Sequence, residues 1–257
     1  MPTHVYNEDG KLIKVAAFDA SLMLTLKDIF PNDKEFAKEV LEVKSNSPKG
    51  KLQKLYNVKD NSSLVRKIFR LYIKSVLWDI ISGNCSYMFP GNCKAEIYTA
   101  EMKDSVVKYR RQKGQLHEFD LLATNYKIPR VKYRFSKHSR RQQLEVYVNK
   151  PYYKHLVDTA NSGKNFSKRP KNINHFLPEI YEQFPYIKES SINKIVRIGS
   201  RRMAYNLRRG EELRIIDKDG EIRFYRPLGK NHDKVMRSVK KKRLNREKKQ
   251  NESRTVS

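Results

Sequence analysis

Between Lys188 and Arg209 the chain, KESSINKIVRIGSRRMAYNLRR, places apolar and polar residues with the period of an α-helix. At about 100° per residue, Ile192, Ile195, Val196, Gly199, Met203 and Leu207 fall on one side, and Lys194, Arg197, Arg201, Tyr205 and Arg208 on the other. Ser190 or Ser191 is placed to cap the start, and Gly210 stands where the helix would end in a left-handed conformation. Upstream, Phe176, Leu177, Ile180, Tyr181 and Phe184 predict a shorter amphipathic helix over Asn174 to Phe184, stopped by Pro185. Downstream, LRIID (Leu213 to Asp217), a turn at Lys218-Asp219-Gly220 and IRFYR (Ile222 to Arg226) predict a β-hairpin.

From Asp60 a longer helix is expected, with Asn61 or Ser62 as its cap. Val65, Ile68, Phe69, Tyr72, Ile73, Val76, Leu77, Ile80 and Ile81 form its buried stripe, and Gly83 ends it. Leu64 to Ile81 is the most apolar stretch of the chain. Arg66, Lys67, Arg70, Lys74 and Asp79 interrupt it, which suits a core helix and excludes a bilayer span. Ser86 to Phe89, a turn at Pro90-Gly91, Lys94 to Met102 and Arg130 to Ser136 read as strands, while Ser139 to Val148 reads equally as a short helix or a strand. The first sixty residues predict a short strand over Lys11 to Phe18, a helix over Ser21 to Phe30 ended by Pro31, and another over Asp33 to Val43. A further helix starts near Pro151, where Leu156, Val157 and Ala160 recur.

These elements predict an α+β protein: a mixed N-terminal body with a small antiparallel sheet, then a helix-turn-helix with hairpin, then a basic tail. The expected divisions are an N-terminal extension (1–60) packing on the core, a body (61–163), a helix-turn-helix module (164–229) and a tail (230–257). The tail is dense in Lys and Arg from Lys230 to Arg254, and only Asp233, Glu247 and Glu252 oppose them. With Val235, Met236, Val239 and Leu244 as its few large apolar residues, it is expected to be largely disordered and partly helical at most.

Charge then changes the picture. Fifty-five Lys and Arg stand against 28 Asp and Glu, a net charge of +27. Such self-repulsion opposes compaction, and a polyanionic partner relieves it. Nucleic acid ranks ahead of anionic lipid or an acidic protein. Candidate contacts are Lys194, Arg197, Arg201, Tyr205 and Arg208 on the helix face, Arg223 on the hairpin, and Lys240, Lys241, Lys242 and Arg243 in the tail. Arginine suits both phosphate and the guanine edge. Duplex DNA is favoured over RNA, because the major groove accepts a helix and no aromatic strand motif for stacking RNA bases is present. The N-terminus, MPTHVYNEDG, lacks the basic-then-apolar pattern of a secretory signal, and Cys85 and Cys93 are too few for a disulfide framework. A cytoplasmic setting, on a nucleoid or within a nucleoprotein particle, follows as the expectation.

Ile80-Ile81-Ser82-Gly83 at a helix end, a strand, Phe89-Pro90-Gly91, the strand Glu96-Ile97-Tyr98, a basic excursion and KYRFSKHSRRQQL (Lys132 to Leu144) together resemble the body, arms and return strand of the HU and integration host factor family. The resemblance spans residues 60 to 148. It implies a homodimer that bends DNA. The family's arm carries a wedging proline at its tip, whereas the basic segment Tyr109 to Gly114 has none, and Pro129 lies close to the return strand.

Little points to catalysis. No two of the six histidines stand at metal-ligand spacing on a helix, and His117-Glu118 with Asp120 reads as loop polarity. The chain has no phosphate-cradling glycine loop and no G-x-S-x-G elbow. Glu101-Met102-Lys103, with Glu96 or Asp79 nearby, resembles the carboxylate and E-x-K set of Mg²⁺-dependent restriction-like nucleases, which is the remote alternative. The leading expectation is a non-enzymatic nucleic-acid-binding protein without cofactor or metal, acting as a regulator or architectural protein. The second is a structural component of a viral or ribosome-associated nucleoprotein particle.

Overall fold

The computed structural model describes residues 5–6, 12–13, 22–30, 34–48, 52–89, 93–101, 127–134, 143–147, 150–162, 171–217, 220–225 and 232–255. The architecture is α+β. One long helix, α4 (Asn61–Ile81), runs through a single hydrophobic core. Every apolar residue of the stripe expected there is fully buried, from Val65 to Ile81. Its cap is Asp60, one residue before the expected pair, and the carboxylate accepts from the Ser63 amide at 2.6 Å. Gly83 follows the end of α4 with φ 96°, a conformation that costs glycine little.

Around α4 pack α1 (Leu26–Ile29), α2 (Lys34–Val40), α5 (Lys150–Asn161), α6 (Ile173–Gln183) and α7 (Glu189–Arg208). A four-residue helix, α3 (Leu52–Leu55), lies in the stretch ahead of α4. The α5 contact is aromatic: Trp78 stacks on His155 at 4.4 Å, and Tyr152 meets its edge. Of the strand expected over Lys11 to Phe18, Leu12–Ile13 (β2) pairs antiparallel with Val5–Tyr6 (β1). The helix expected over Ser21 to Phe30 is α1 alone; Thr25 caps it, in reciprocal hydrogen bonds with Asp28.

The remaining strands are β3 (Ser86–Phe89), β4 (Cys93–Glu101), β5 (Lys127–Arg134), β6 (Gln143–Tyr147), β7 (Leu213–Asp217) and β8 (Gly220–Tyr225). They form one antiparallel sheet in the order β3-β4-β5-β6-β8-β7. The ambiguous stretch after Ser139 is thus a strand over Gln143–Tyr147, in register with β5 through Tyr133 and Leu144.

Two expectations about organisation need correction. The body and the C-terminal module are not separate packing units: β8 pairs with β6, Val146 opposite Phe224, and both halves share one core. The physical reason is that β6 would otherwise be an unpaired sheet edge, and the hairpin covers it. The C-terminal segment, expected to be partly helical at most, forms α8 (His232–Thr255). Its Lys, Arg, Met, Leu and Glu residues have strong helix propensity, and two side chains anchor it. Met236 is buried, and Arg243, 17% exposed, faces the Glu211 carboxylate at 3.6 Å.

The Pro90-Gly91 turn, Lys218 and Asp219, Gly163, the basic excursion with Tyr109 to Gly114, the His117 cluster and Lys103 lie outside the described residues.

Candidate nucleic-acid interface

Helix α7 is held in place through its buried stripe. Ile192, Ile195, Val196, Met203 and Leu207 are all at or near zero exposure. Gly199 lets the helix approach α4 and α1 closely, since a Cβ there would stand 2.6 Å from ring carbons of Phe69 and Phe30. The start of α7 is pinned differently from expectation. Its N-cap is Lys188, with no side-chain cap bond, because Ser191 is used elsewhere. The Ser191 hydroxyl donates to the Val40 carbonyl at 2.6 Å and accepts from the Glu42 amide at 2.7 Å, tying α7 to the end of α2. Lys188 bonds Glu42 at 2.9 Å, and this contact holds the Glu42 carboxyl below its ordinary range. At the other end Gly210 takes φ 88°, as expected of a helix terminator.

The opposite face of α7 is open to solvent. Lys194, Arg197, Arg201, Tyr205 and Arg208 are all exposed, on one side of a helix whose other side is core. Lys194, Arg197 and Arg208 already have partners. Lys194 reaches Glu39 at 3.2 Å, and Arg197 donates to Asn193 Oδ1 at 2.6 Å and to Asn174 Oδ1 of α6 at 2.9 Å. Arg201 has no ion pair or hydrogen bond among the described residues. Tyr205, 51% exposed, is backed by the Arg209 guanidinium, 4.0 Å from the ring centroid.

Other candidate residues are placed otherwise. Arg223, on the inner strand of the hairpin, is half-buried and bonds Glu221 at 2.5 Å, and Arg214 takes the other oxygen of that carboxylate. Burial works to raise the Glu221 carboxyl, and the two arginines outweigh it, leaving it below the ordinary range. Arg223 is therefore a structural cation. Arg243 likewise serves to dock α8, whereas Lys241 and Lys242 are exposed and Lys240 is half-buried. Asp79, a candidate metal carboxylate, accepts from Lys171 at 2.5 Å, Asn84 at 2.9 Å and Ser86 at 3.2 Å, so its oxygens are committed. Among the described residues no group of three or more His, Cys, Asp or Glu could hold a metal ion, and no helix is long and apolar enough to cross a membrane.

The helix period does not reveal one feature beside this face. A recess of about 480 Å³ opens between α1 and α7, lined by Asp28, Ile29, Arg201, Arg202, Tyr205 and Asn206. Arg202 forms a fixed wall, donating to the Ile29 carbonyl at 3.1 Å with its guanidinium 4.5 Å from the Phe36 ring centroid. The pairing of Tyr205 with Arg209 is legible as a spacing of four on one helix. The approach of Asp28 depends on tertiary packing, and no local pattern signals it.

Comparison with protein-family models, with curated proteins and with solved structures finds no match for this chain.

Proposed function

We propose that this chain is a non-enzymatic nucleic-acid-binding protein, with duplex DNA ahead of RNA as its partner. The reading takes α6, α7 and the β7–β8 hairpin as a winged helix-turn-helix, in which the exposed face of α7 enters the major groove. The observation that carries it is the separation on α7: apolar residues buried on one side, and Lys194, Arg197, Arg201, Tyr205 and Arg208 exposed on the other. The net charge of +27 supports it, because neutralising phosphates releases counterions. Helix α8 adds sequence-independent affinity through cations such as Lys241 and Lys242. Any HU-like bending belongs to this reading as a property of the body, without a proline wedge in the segment Tyr109 to Gly114.

The second reading, a structural component of a nucleoprotein particle, is favoured by a specific observation. Several of the candidate cations are already paired within the chain, as with Lys194 to Glu39 and Arg223 to Glu221, and α8 carries its lysines without a single apolar stripe. The test is binding at near-physiological salt against an excess of random duplex. A regulator retains preferred sequences and loses them on charge reversal at Arg197 and Arg201; a packing protein binds every duplex alike and weakens evenly with salt. Absence of binding to duplex DNA and RNA would overturn both.

A further inference from the structure

The recess between α1 and α7 has the composition of a base-binding site. We propose that it takes one unstacked nucleobase with its phosphate, from an unpaired nucleotide of a strand or from a free nucleotide. The strand source rests on the nucleic-acid-binding reading above; the free-nucleotide source does not.

Four observations carry the proposal. At about 480 Å³ the recess lies within the size range of small-ligand sites. Tyr205 lines it and is half-exposed, and Arg209, which does not line it, lies over the ring 4.0 Å from the centroid, so one face is backed and the other is left to a ligand. A half-exposed tyrosine backed by a guanidinium is a stacking platform that is fixed in place and tolerant of base identity. Arg201, one helical turn before Tyr205, also lines the recess and has no partner among the described residues, so its guanidinium is free to meet a phosphate.

The far wall is different in kind. Asp28 uses Oδ2 to accept from the Thr25 amide at 2.7 Å and the Thr25 hydroxyl at 2.8 Å, and its other oxygen has no hydrogen bond among the described residues. A carboxylate repels phosphate and accepts from an amino group, and the neighbouring Asn206 amide can both donate and accept. The charges therefore orient the ligand, phosphate at Arg201 and base edge toward Asp28 and Asn206. A bare phosphate would use none of the second wall. A continuous stacked duplex would use neither the ring face nor the carboxylate.

The test compares the full chain's affinity for a blunt duplex, for the same duplex with one extrahelical adenine, and for free adenosine monophosphate. Fluorescence of 2-aminopurine at the unpaired position reports stacking. Strand-derived recognition predicts tighter binding of the bulged duplex by about 5- to 150-fold, the value of one base on an aromatic ring, with quenched 2-aminopurine. Tyr205→Leu brings the ratio of bulged to blunt affinity to unity, and Tyr205→Phe keeps it. Both variants are judged folded by an unchanged thermal midpoint, which suits an exposed side chain. Saturable binding of adenosine monophosphate, lost in Tyr205→Leu, without a bulge preference, assigns the free nucleotide as the source. Equal affinity for bulged and blunt duplex with no nucleotide binding overturns the recess and leaves the α7 reading standing. Nucleotide binding with no duplex binding does the reverse.

Discussion

Gly199 of α7 lies against the ring of Phe69 of α4, so close that a Cβ would stand 2.6 Å from two of its carbons. Helix α7 owes its position to that missing side chain. Gly199→Ala gains about 1 kcal/mol of helix propensity. It must also displace Phe69 and Phe30, both buried, at a cost of roughly 1–3 kcal/mol, and more where the rings cannot turn. The expected outcome is a net loss of stability in chemical denaturation. Phe69→Leu in the Gly199→Ala background should recover part of it, whereas additive losses would show that the two residues do not share the constraint.

The docking of α8 turns on Glu211, 2% exposed, against Arg243. Burial pushes the Glu211 carboxyl up, and Arg243 and Arg246 pull it only partly back. A carboxyl whose folded value is raised binds its proton more readily when folded. Its ionisation therefore costs stability above that raised value, and the cost disappears as pH falls through it. Glu211→Gln should melt no lower than the parent at pH 7 and should flatten the pH dependence. Arg243→Met leaves the buried carboxylate without its cation and should cost about 1–3 kcal/mol at pH 7, recovered in part on acidification. A lower melting point for Glu211→Gln would refute this assignment.

The hairpin behaves in the opposite sense. Glu221 sits between Arg214 and Arg223 with its carboxyl below the ordinary range, so its contribution is present above the unfolded-state value and lost as pH falls through the depressed one. Glu221→Gln should cost roughly 1–2 kcal/mol at pH 7, since the trio is half-buried. Thermal melts across pH should bring the two proteins together in acid.

Lys241 and Lys242 are exposed on α8. If they meet phosphates, replacing both with Gln should make the plot of log affinity against log salt shallower by about 1.8, at 0.9 per contact. The change should be the same for preferred and random duplex, measured by fluorescence anisotropy. A change confined to one sequence would assign them to base reading instead.

How much of this was legible in the sequence depends on the range of the interaction. The stripes of α4 and α7 and the glycines after them follow from period and backbone sterics, and both helices appear within a few residues of the expected spans. Caps were less legible, because a serine offers its hydroxyl to whichever backbone lies nearest, and for Ser191 that is the end of α2. Pro178 sits inside α6, where the bond it cannot donate would have run to the Asn174 carbonyl; the apolar period of Phe176, Leu177 and Ile180 carries the expected helix through it, and the burial of those side chains holds it together. The exposed face of α7 was readable residue by residue. Its division into paired cations and one uncommitted Arg201 was not, since Glu39 and Asn174 come from other helices. The recess wall at Asp28 belongs to the same class.

The pairing of Val146 with Phe224 also limits how the chain can be divided. A fragment beginning after β6 would carry α6, α7 and the hairpin, but β8 would lose the neighbour on its inner side and α7 would lose Phe69. The exposed face of α7 and the recess beside it are thus not a transplantable cassette: cut away from α4 and β6, they lose the scaffold that holds them.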